Sequence, residues 1–275
     1  MRSDILATRA VLAAGRLRRG LGIRPADAVC PFDMAEQLGA AVRFWALPSL
    51  EAAYFSEYDL IVIGSDRPAG RRRFSCAHEL GHRSFGHGSH VHRVHERRAA
   101  SAVEEYLADR FAAALLMPKL AVENAFARRG WSAGAIAPAE LFVISQELGV
   151  GYTTLVDHLA ITLGTLTPVH AASLRRTPLP RTRAKLAGYQ RTGDVVVLDE
   201  HWSRPTVEVE VGDLLVVPDG TTMAGLALRR EACARHINAV SPGTATLQLP
   251  SGLAPVVRVA RPAFTGVARY RYLDE

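Results

Sequence analysis

The spacing of hydrophobic and polar residues changes near residue 175. Before that point, apolar residues recur at helical spacing, most clearly over 99–117. Two short apolar runs, 41–46 and 59–64, are typical of strands, and the second is apolar enough to be a central strand. Further helices are predicted over 32–39, 73–83, 119–129, 138–148 and 152–163. The pattern predicts helices around a small sheet in this part of the chain.

Short β-rich runs follow residue 191, separated by turn residues such as Asp219-Gly220. Strands are predicted over 194–198, 207–211, 214–217, 244–249, 256–259 and 266–272. The intervening stretch 175–191 is basic and contains two prolines, so we interpret it as a connection and a domain boundary. The prediction is an α+β chain with four parts. They are an N-terminal helix (1–29), a mixed domain (30–135), a helical subdomain (136–175) and a mainly-β domain (192–275).

Residues 144–159 have the form of a helix, a glycine-containing turn and a second helix. Such a helix-turn-helix-like segment can bind DNA through its second helix. That helix contains Asp157 and His158 but neither Arg nor Lys, so phosphate contact would be weak. We therefore favour a subdomain that packs on the rest of the protein or helps to hold a substrate.

Composition indicates a globular protein, because 48% of the 275 residues are apolar and 22% are charged. The net charge of +6 makes nucleic acid a possible partner, but a solvated arginine-rich surface is the favoured interpretation. Three isolated cysteines indicate a reducing compartment. Arg9 and Arg16 interrupt the apolar N-terminal segment, which favours an amphipathic helix over a membrane span or signal peptide. These features predict a cytoplasmic protein without a membrane partner.

Candidate metal chemistry comes from His78-Glu79-Leu80-Gly81-His82. Residues four apart share one face of a helix, so the two imidazoles can bind one Zn²⁺ ion. Glu79 can then act as the catalytic base toward a water molecule at the metal. The alternative is an amphipathic helix whose histidines face solvent.

A third ligand is predicted on the next long helix. A catalytic zinc site has three protein ligands and one open position. Glu105 and Asp109 are four residues apart, so Glu105 can complete the site while Asp109 orients a ligand histidine. Glu104 is the rival ligand, but position 108, four residues later, is Ala108.

Two other histidine arrangements are less favoured. A three-histidine site requires Gly and His at positions occupied here by Phe85 and Gly88. The other histidines of this region, whose spacing favours a solvated loop, are His87, His90, His92 and His95.

The region resembles the ImmA/IrrE-type metallopeptidases. The resemblance rests on the run from Arg73 to His82, on Glu105 to Ala112 and on Leu115-Leu116-Met117-Pro118, and it covers roughly residues 30–165. It implies a zincin-like domain with one Zn²⁺ ion, with His78, His82 and Glu105 as ligands and Glu79 as catalytic acid/base. It also implies endoproteolysis of a protein target, often a helix-turn-helix repressor, in a stress or mobile-element response.

Two other functions remain open. The chain could be a DNA-binding regulator that retains a metal site, or a sensor whose C-terminal β domain binds a small ligand. The group that stabilises the oxyanion also stays open among Tyr106, His87, Tyr152 and His158.

Overall fold

The computed structural model describes residues 2–93 and 102–273, which form nine α-helices and thirteen β-strands. The helices are α1 (Arg2–Gly20), α2 (Pro31–Gln37), α3 (Ala69–Phe85), α4 (Ala102–Leu116), α5 (Lys119–Ala127), α6 (Pro138–Leu148), α7 (Tyr152–Asp157), α8 (Pro168–Arg175) and α9 (Leu179–Ala187). The strands are β1 (Ala41–Trp45), β2 (Leu50–Phe55), β3 (Leu60–Gly64), β4 (His90–Arg93), β5 (Val195–Val197), β6 (Thr206–Glu210), β7 (Leu214–Val216), β8 (Thr222–Ala224), β9 (Leu228–Arg230), β10 (His236–Ala239), β11 (Gly243–Gln248), β12 (Val256–Ala260) and β13 (Gly266–Val267). The fold is α+β, and its C-terminal region is rich in strands, as the sequence predicts.

The chain folds into two compact units that each use separate stretches of sequence. The first unit contains Met1–Val122, Leu148–Gly151 and Ala263–Tyr270. The second contains Glu123–Glu147, Tyr152–Pro262 and Arg271–Glu275. The chain therefore passes between the units several times, whereas the predicted parts are consecutive segments. The helix-turn-helix-like subdomain over 136–175 stays a prediction.

The first unit contains a five-stranded sheet in the order β13-β1-β3-β2-β4. Strands β1 and β3 are parallel, and the other neighbours are antiparallel. Ile61, Val62 and Ile63 of β3 are completely buried, which confirms the prediction of a central strand. Strand β2, which reads Leu-Glu-Ala-Ala-Tyr-Phe, is not among the strands predicted from the sequence.

Side-chain hydrogen bonds connect α3 to β2 and to the loop before β3. In the second turn of the helix, the Ser75 hydroxyl donates to the Glu51 carboxylate of β2 over 3.0 Å. At its end, the Arg83 guanidinium donates to both oxygens of Asp59, over 2.6 and 2.7 Å. The helix begins at Ala69 rather than at the predicted residue 73, directly after Pro68, whose ψ of 145° is extended.

The second unit contains two four-stranded sheets, in the orders β5-β7-β10-β9 and β6-β12-β11-β8. Buried side chains from both sheets form one apolar cluster, which includes Trp202, Leu215, Ile237, Leu247 and Val257. Strands β8, β9 and β10 are not predicted from the sequence. The predicted strand over 266–272 is wrong beyond Val267, where a 3₁₀ turn (Ala268–Tyr270) follows β13.

Helix α9 lies within the stretch 175–191 that the sequence pattern indicates as a connection, and α8 ends at the first residue of that stretch, Arg175. Pro168 and Pro180 lie in the first turns of these helices, where the missing N–H of proline is not needed. Ala187 of α9 is completely buried beside Val195 and Leu214. None of the helices within residues 2–93 and 102–273 has the combination of length and apolarity that crossing a bilayer would demand.

Candidate metal centre

Helix α3 places the predicted site residues inside the first unit. The exposed fraction of the residue is 8% for His78 and 0% for both Glu79 and His82. Ionisable side chains are rarely this buried without partners or a metal ion. The alternative of solvent-facing histidines is therefore excluded.

A glycine allows α3 and α4 to approach each other closely. A Cβ atom built on Gly81 would lie 3.0 Å from the Cα atom of Ala108 and 3.3 Å from its Cβ atom. Any larger side chain at either position would separate the two helices. The small residues thus bring α4, which includes Glu105, against the two histidines of α3.

Three potential ligand side chains meet at this contact. The Nε2 atoms of His78 and His82 are 3.0 Å apart. The two carboxylate oxygens of Glu105 each lie 3.5 Å from one of these nitrogens. The structure therefore brings together the three residues that the sequence predicts as zinc ligands.

The separations fit a zinc ion. Zinc–nitrogen and zinc–oxygen bonds of about 2.0–2.1 Å in a tetrahedron put neighbouring ligand atoms roughly 3.3–3.4 Å apart. The observed separations of 3.0 and 3.5 Å bracket that value. Two imidazoles and a carboxylate are also the nitrogen and oxygen donors that zinc accepts in catalytic sites.

Asp109 fixes the orientation of His78. The Nδ1 atom of His78 lies 2.9 Å from Oδ1 of Asp109, so an Nδ1–H donor leaves the Nε2 lone pair available to a metal. Burial lowers the pKa of His78, but hydrogen bonds to Asp109 and Glu105 and the charge of Glu79 outweigh it and raise the pKa to about 10. This cluster of carboxylates therefore attracts a cation.

His87 contacts His82 in the way that Asp109 contacts His78. The two Nδ1 atoms are 2.9 Å apart, and His87 stacks on Phe85 with ring centroids 5.6 Å apart. Gly86 ends α3 in the left-handed conformation, with φ of 68°, and turns the chain back so that the ring of His87 reaches His82. His87 lies in a loop, as predicted, but it is half-buried and contacts His82, so the prediction that it is solvated is wrong. A glycine directly after the helix was the sequence signal for this reversal.

Glu79 is completely buried beside the candidate ligands. Burial raises the pKa of its carboxyl to about 8; the positive charge of His78 opposes this shift and the negative charge of Glu105 adds to it. A carboxyl group with a pKa near neutrality can both accept and release a proton at physiological pH, as a general acid/base must.

The rival ligand and the other candidate histidines and tyrosines occupy different places. The rival ligand, Glu104, is in the first turn of α4, but Glu105 is the carboxylate beside the histidines. The ring of Tyr106, also on α4, lies under the Arg110 guanidinium, 5.2 Å from its centroid.

The remaining candidates lie in the second unit, in β4 or outside the described residues. Tyr152 and His158 are both buried in the second unit, where the Tyr152 hydroxyl donates to Thr177 over 3.4 Å. His90 and His92 are in strand β4, so the prediction that they belong to a loop is wrong, and His95 lies outside the described residues. The group that stabilises the oxyanion stays unassigned.

Comparison with known proteins places the site within a family match. Residues 28–159 match the IrrE N-terminal-like domain family, Peptidase_M78. Over 108 residues the chain is 32% identical to the radiation response metalloprotease IrrE of Deinococcus radiodurans, a match that covers 38% of this chain and 33% of that protein. The chain therefore spans about a third of the length of this curated relative.

A further similarity is to a solved structure, a Mycobacterium tuberculosis transcriptional regulator. The TM-score is 0.38 at 16% identity, over 58% of this chain and 52% of the other. A TM-score and a sequence identity this low say nothing about function. The family match contains every predicted metal-site residue, from His78 to Asp109. The match of residues 28–159 and the similarity to IrrE therefore support an ImmA/IrrE-type family for this part of the chain.

Proposed function

We propose that this chain is a zinc-dependent endopeptidase in which His78, His82 and Glu105 hold the metal. The observation that supports the proposal most strongly is the separation of the ligand atoms by 3.0 to 3.5 Å in a site that is buried at His82 and partly exposed at Glu105. Three protein ligands would leave the fourth tetrahedral position open for chemistry, which distinguishes catalytic from structural zinc sites.

Zinc in this site would supply Lewis acidity toward water and the scissile carbonyl group. The carboxylate of Glu79 takes a proton from the attacking water molecule as the new C–O bond forms. It then gives that proton to the amide nitrogen as the C–N bond breaks, so that two peptides are the products. Asp109 and His87 act indirectly, because they hold the ligand histidines in the orientation that the metal requires.

The proposed substrate is a protein, specifically a helix-turn-helix transcriptional repressor, cleaved in the cytoplasm during a regulatory or stress response. The family match supports this choice, and the relative in Deinococcus radiodurans is itself described as a radiation response metalloprotease. The reaction would remove a repressor irreversibly, since hydrolysis of its backbone is not reversed in the cell.

The proposal is tested first by metal content and then by cleavage. We expect the purified chain to bind one zinc ion and to cut one member of a panel of helix-turn-helix repressors at a discrete site. Removing zinc with 1,10-phenanthroline should stop the cleavage, and adding zinc back should restore it. Mass spectrometry of the products locates the cut. A chain that binds no stoichiometric zinc, or that cuts equally well without it, would contradict the proposal.

We predict that His87→Ala lowers zinc affinity about 10- to 100-fold, because removal of an outer partner of a ligand histidine has effects of that size. Competition with a colorimetric chelator gives the affinity. The matched control is His201→Ala, which removes an imidazole from the second unit. Equal zinc affinity in the His87 and His201 variants would show that the contact with His82 does not support the metal.

A further inference from the structure

The positive charge of the chain is concentrated in one segment of the second unit. Residues 158–193 contain six arginines and lysines and no aspartate or glutamate. The other 27 of the 33 basic residues equal the 27 acidic residues in number. The whole formal net charge of +6 therefore belongs to this segment, which includes α8 and α9.

Two of the six cations are neutralised at the borders of the segment. Arg175 pairs with Asp157, the last acidic residue before it, over 2.7 Å. Arg183 pairs with Asp194, the first acidic residue after it, over 2.9 Å. These two ion pairs connect the segment to the residues on either side of it. The surroundings of the other four cations differ.

Neutral acceptors hold a third cation. The Arg191 guanidinium donates to the carbonyl oxygen of Gly212 and, over 3.5 Å, to the side-chain oxygen of Asn238. The remaining cations, Arg176, Arg181 and Lys185, are exposed. Among the described residues no carboxylate lies within ion-pair distance of these three.

Helix α9 has one buried face and one cationic face. Ala187 and Leu186 pack against Val195 and Leu214 in an apolar cluster. Arg181 and Lys185 are four residues apart and therefore share the solvent face of the helix. Arg176 follows α8 directly and precedes α9 by two residues. We call these three basic residues the α9 cationic surface.

We propose that the α9 cationic surface binds the sugar–phosphate backbone of duplex DNA without sequence preference. Its three unneutralised cations complement the regular negative charge of a duplex. Binding to an anionic membrane would also need an apolar face, and that of α9 is buried in the protein core. Binding to single strands would need several aromatic rings on which successive bases stack, but the segment has a single Phe, Tyr or Trp, the exposed Tyr189.

The test is fluorescence anisotropy of the full chain with a labelled mixed-sequence DNA duplex. Three phosphate contacts predict a slope of about −2.7 for log K against log[KCl], or roughly a 40-fold loss of affinity from 50 to 200 mM. The triple variant Arg176→Gln/Arg181→Gln/Lys185→Gln should bind about tenfold more weakly or worse at 50 mM KCl, with a slope near zero. If that variant does not fold, Lys185→Gln alone should reduce the slope by about 0.9.

The matched control is Arg16→Gln/Arg19→Gln/Arg229→Gln, which removes the same charge from exposed positions elsewhere. We expect this control to keep the salt slope of the natural chain. Equal losses in the control and in the triple variant would overturn the proposal, because general electrostatics would then explain the binding. Binding to phosphatidylserine vesicles without binding to the duplex would also overturn it. Neither readout depends on zinc or cleavage, so failure here leaves the proposed peptidase function intact.

Discussion

The Glu79→Gln chain should hydrolyse its protein target about 10²- to 10⁴-fold more slowly than the natural chain, which is the usual contribution of a positioned acid/base group. Zinc content should not change, because the three candidate ligands are untouched. Cleavage is followed by electrophoresis of the target, and zinc by elemental analysis of the same preparation. The control Glu57→Gln makes the same chemical change at an exposed position of the first unit and should retain full activity.

Thermal unfolding distinguishes a loss of catalysis in Glu79→Gln from a loss of folding. Because the pKa of buried Glu79 is raised to about 8, the unfolded chain loses this proton at lower pH than the folded chain. Ionisation of Glu79 therefore destabilises the metal-free fold as pH rises from 4.5 towards 8. The neutral amide avoids that cost, so metal-free Glu79→Gln should melt at no lower temperature than the natural chain at pH 8. Persisting cleavage by a folded, zinc-loaded variant would remove Glu79 from the mechanism.

Glu105→Ala should produce the largest loss of zinc affinity among carboxylate substitutions on α4. Asp109→Ala removes only a partner of His78 and should weaken binding about 10- to 100-fold. Glu105→Ala removes a proposed ligand whose oxygens lie 3.5 Å from both imidazoles, so its loss should exceed that range. Glu104→Ala is the matched control, since it deletes the adjacent carboxylate, and it should bind zinc normally. Chelator competition ranks the three variants, and a greater loss for Glu104→Ala would reverse the ligand assignment.

The candidate site is largely predictable because its residues follow helical periodicity. His78 and His82 are one turn apart on α3, and Glu105 and Asp109 are one turn apart on α4, so each helix presents a pair on one face. The distance between the two helices cannot be predicted in this way. That distance depends on the contact of Gly81 with Ala108, and neither residue has a chemically distinctive side chain.

Elements that depend on tertiary pairing are harder to predict. The alternation of strand β2 is weak, and its burial comes from neighbours on both sides, β3 and β4. The sequence of α9 resembles that of a connecting loop because it contains a proline and two arginines. Pro180 is nevertheless compatible with a helix, since it lies in the first turn. The contact of His87 with His82 depends on the left-handed conformation of Gly86. The spacing of the histidines along the sequence does not reveal that conformation.

The pairing of β13 with β1 determines when the first unit can be completed during protein synthesis. Val267 and Gly266 pair with Arg43 and Phe44, and Phe264 adds an edge-on contact with the Phe44 ring at 6.4 Å. Helices α3 and α4 leave the ribosome early, but this outer strand emerges only after nearly the whole second unit has been translated. A nascent chain therefore cannot complete the unit that contains the candidate metal site until nearly all of the second unit has been translated, and hydrolytic competence would arise only after that point.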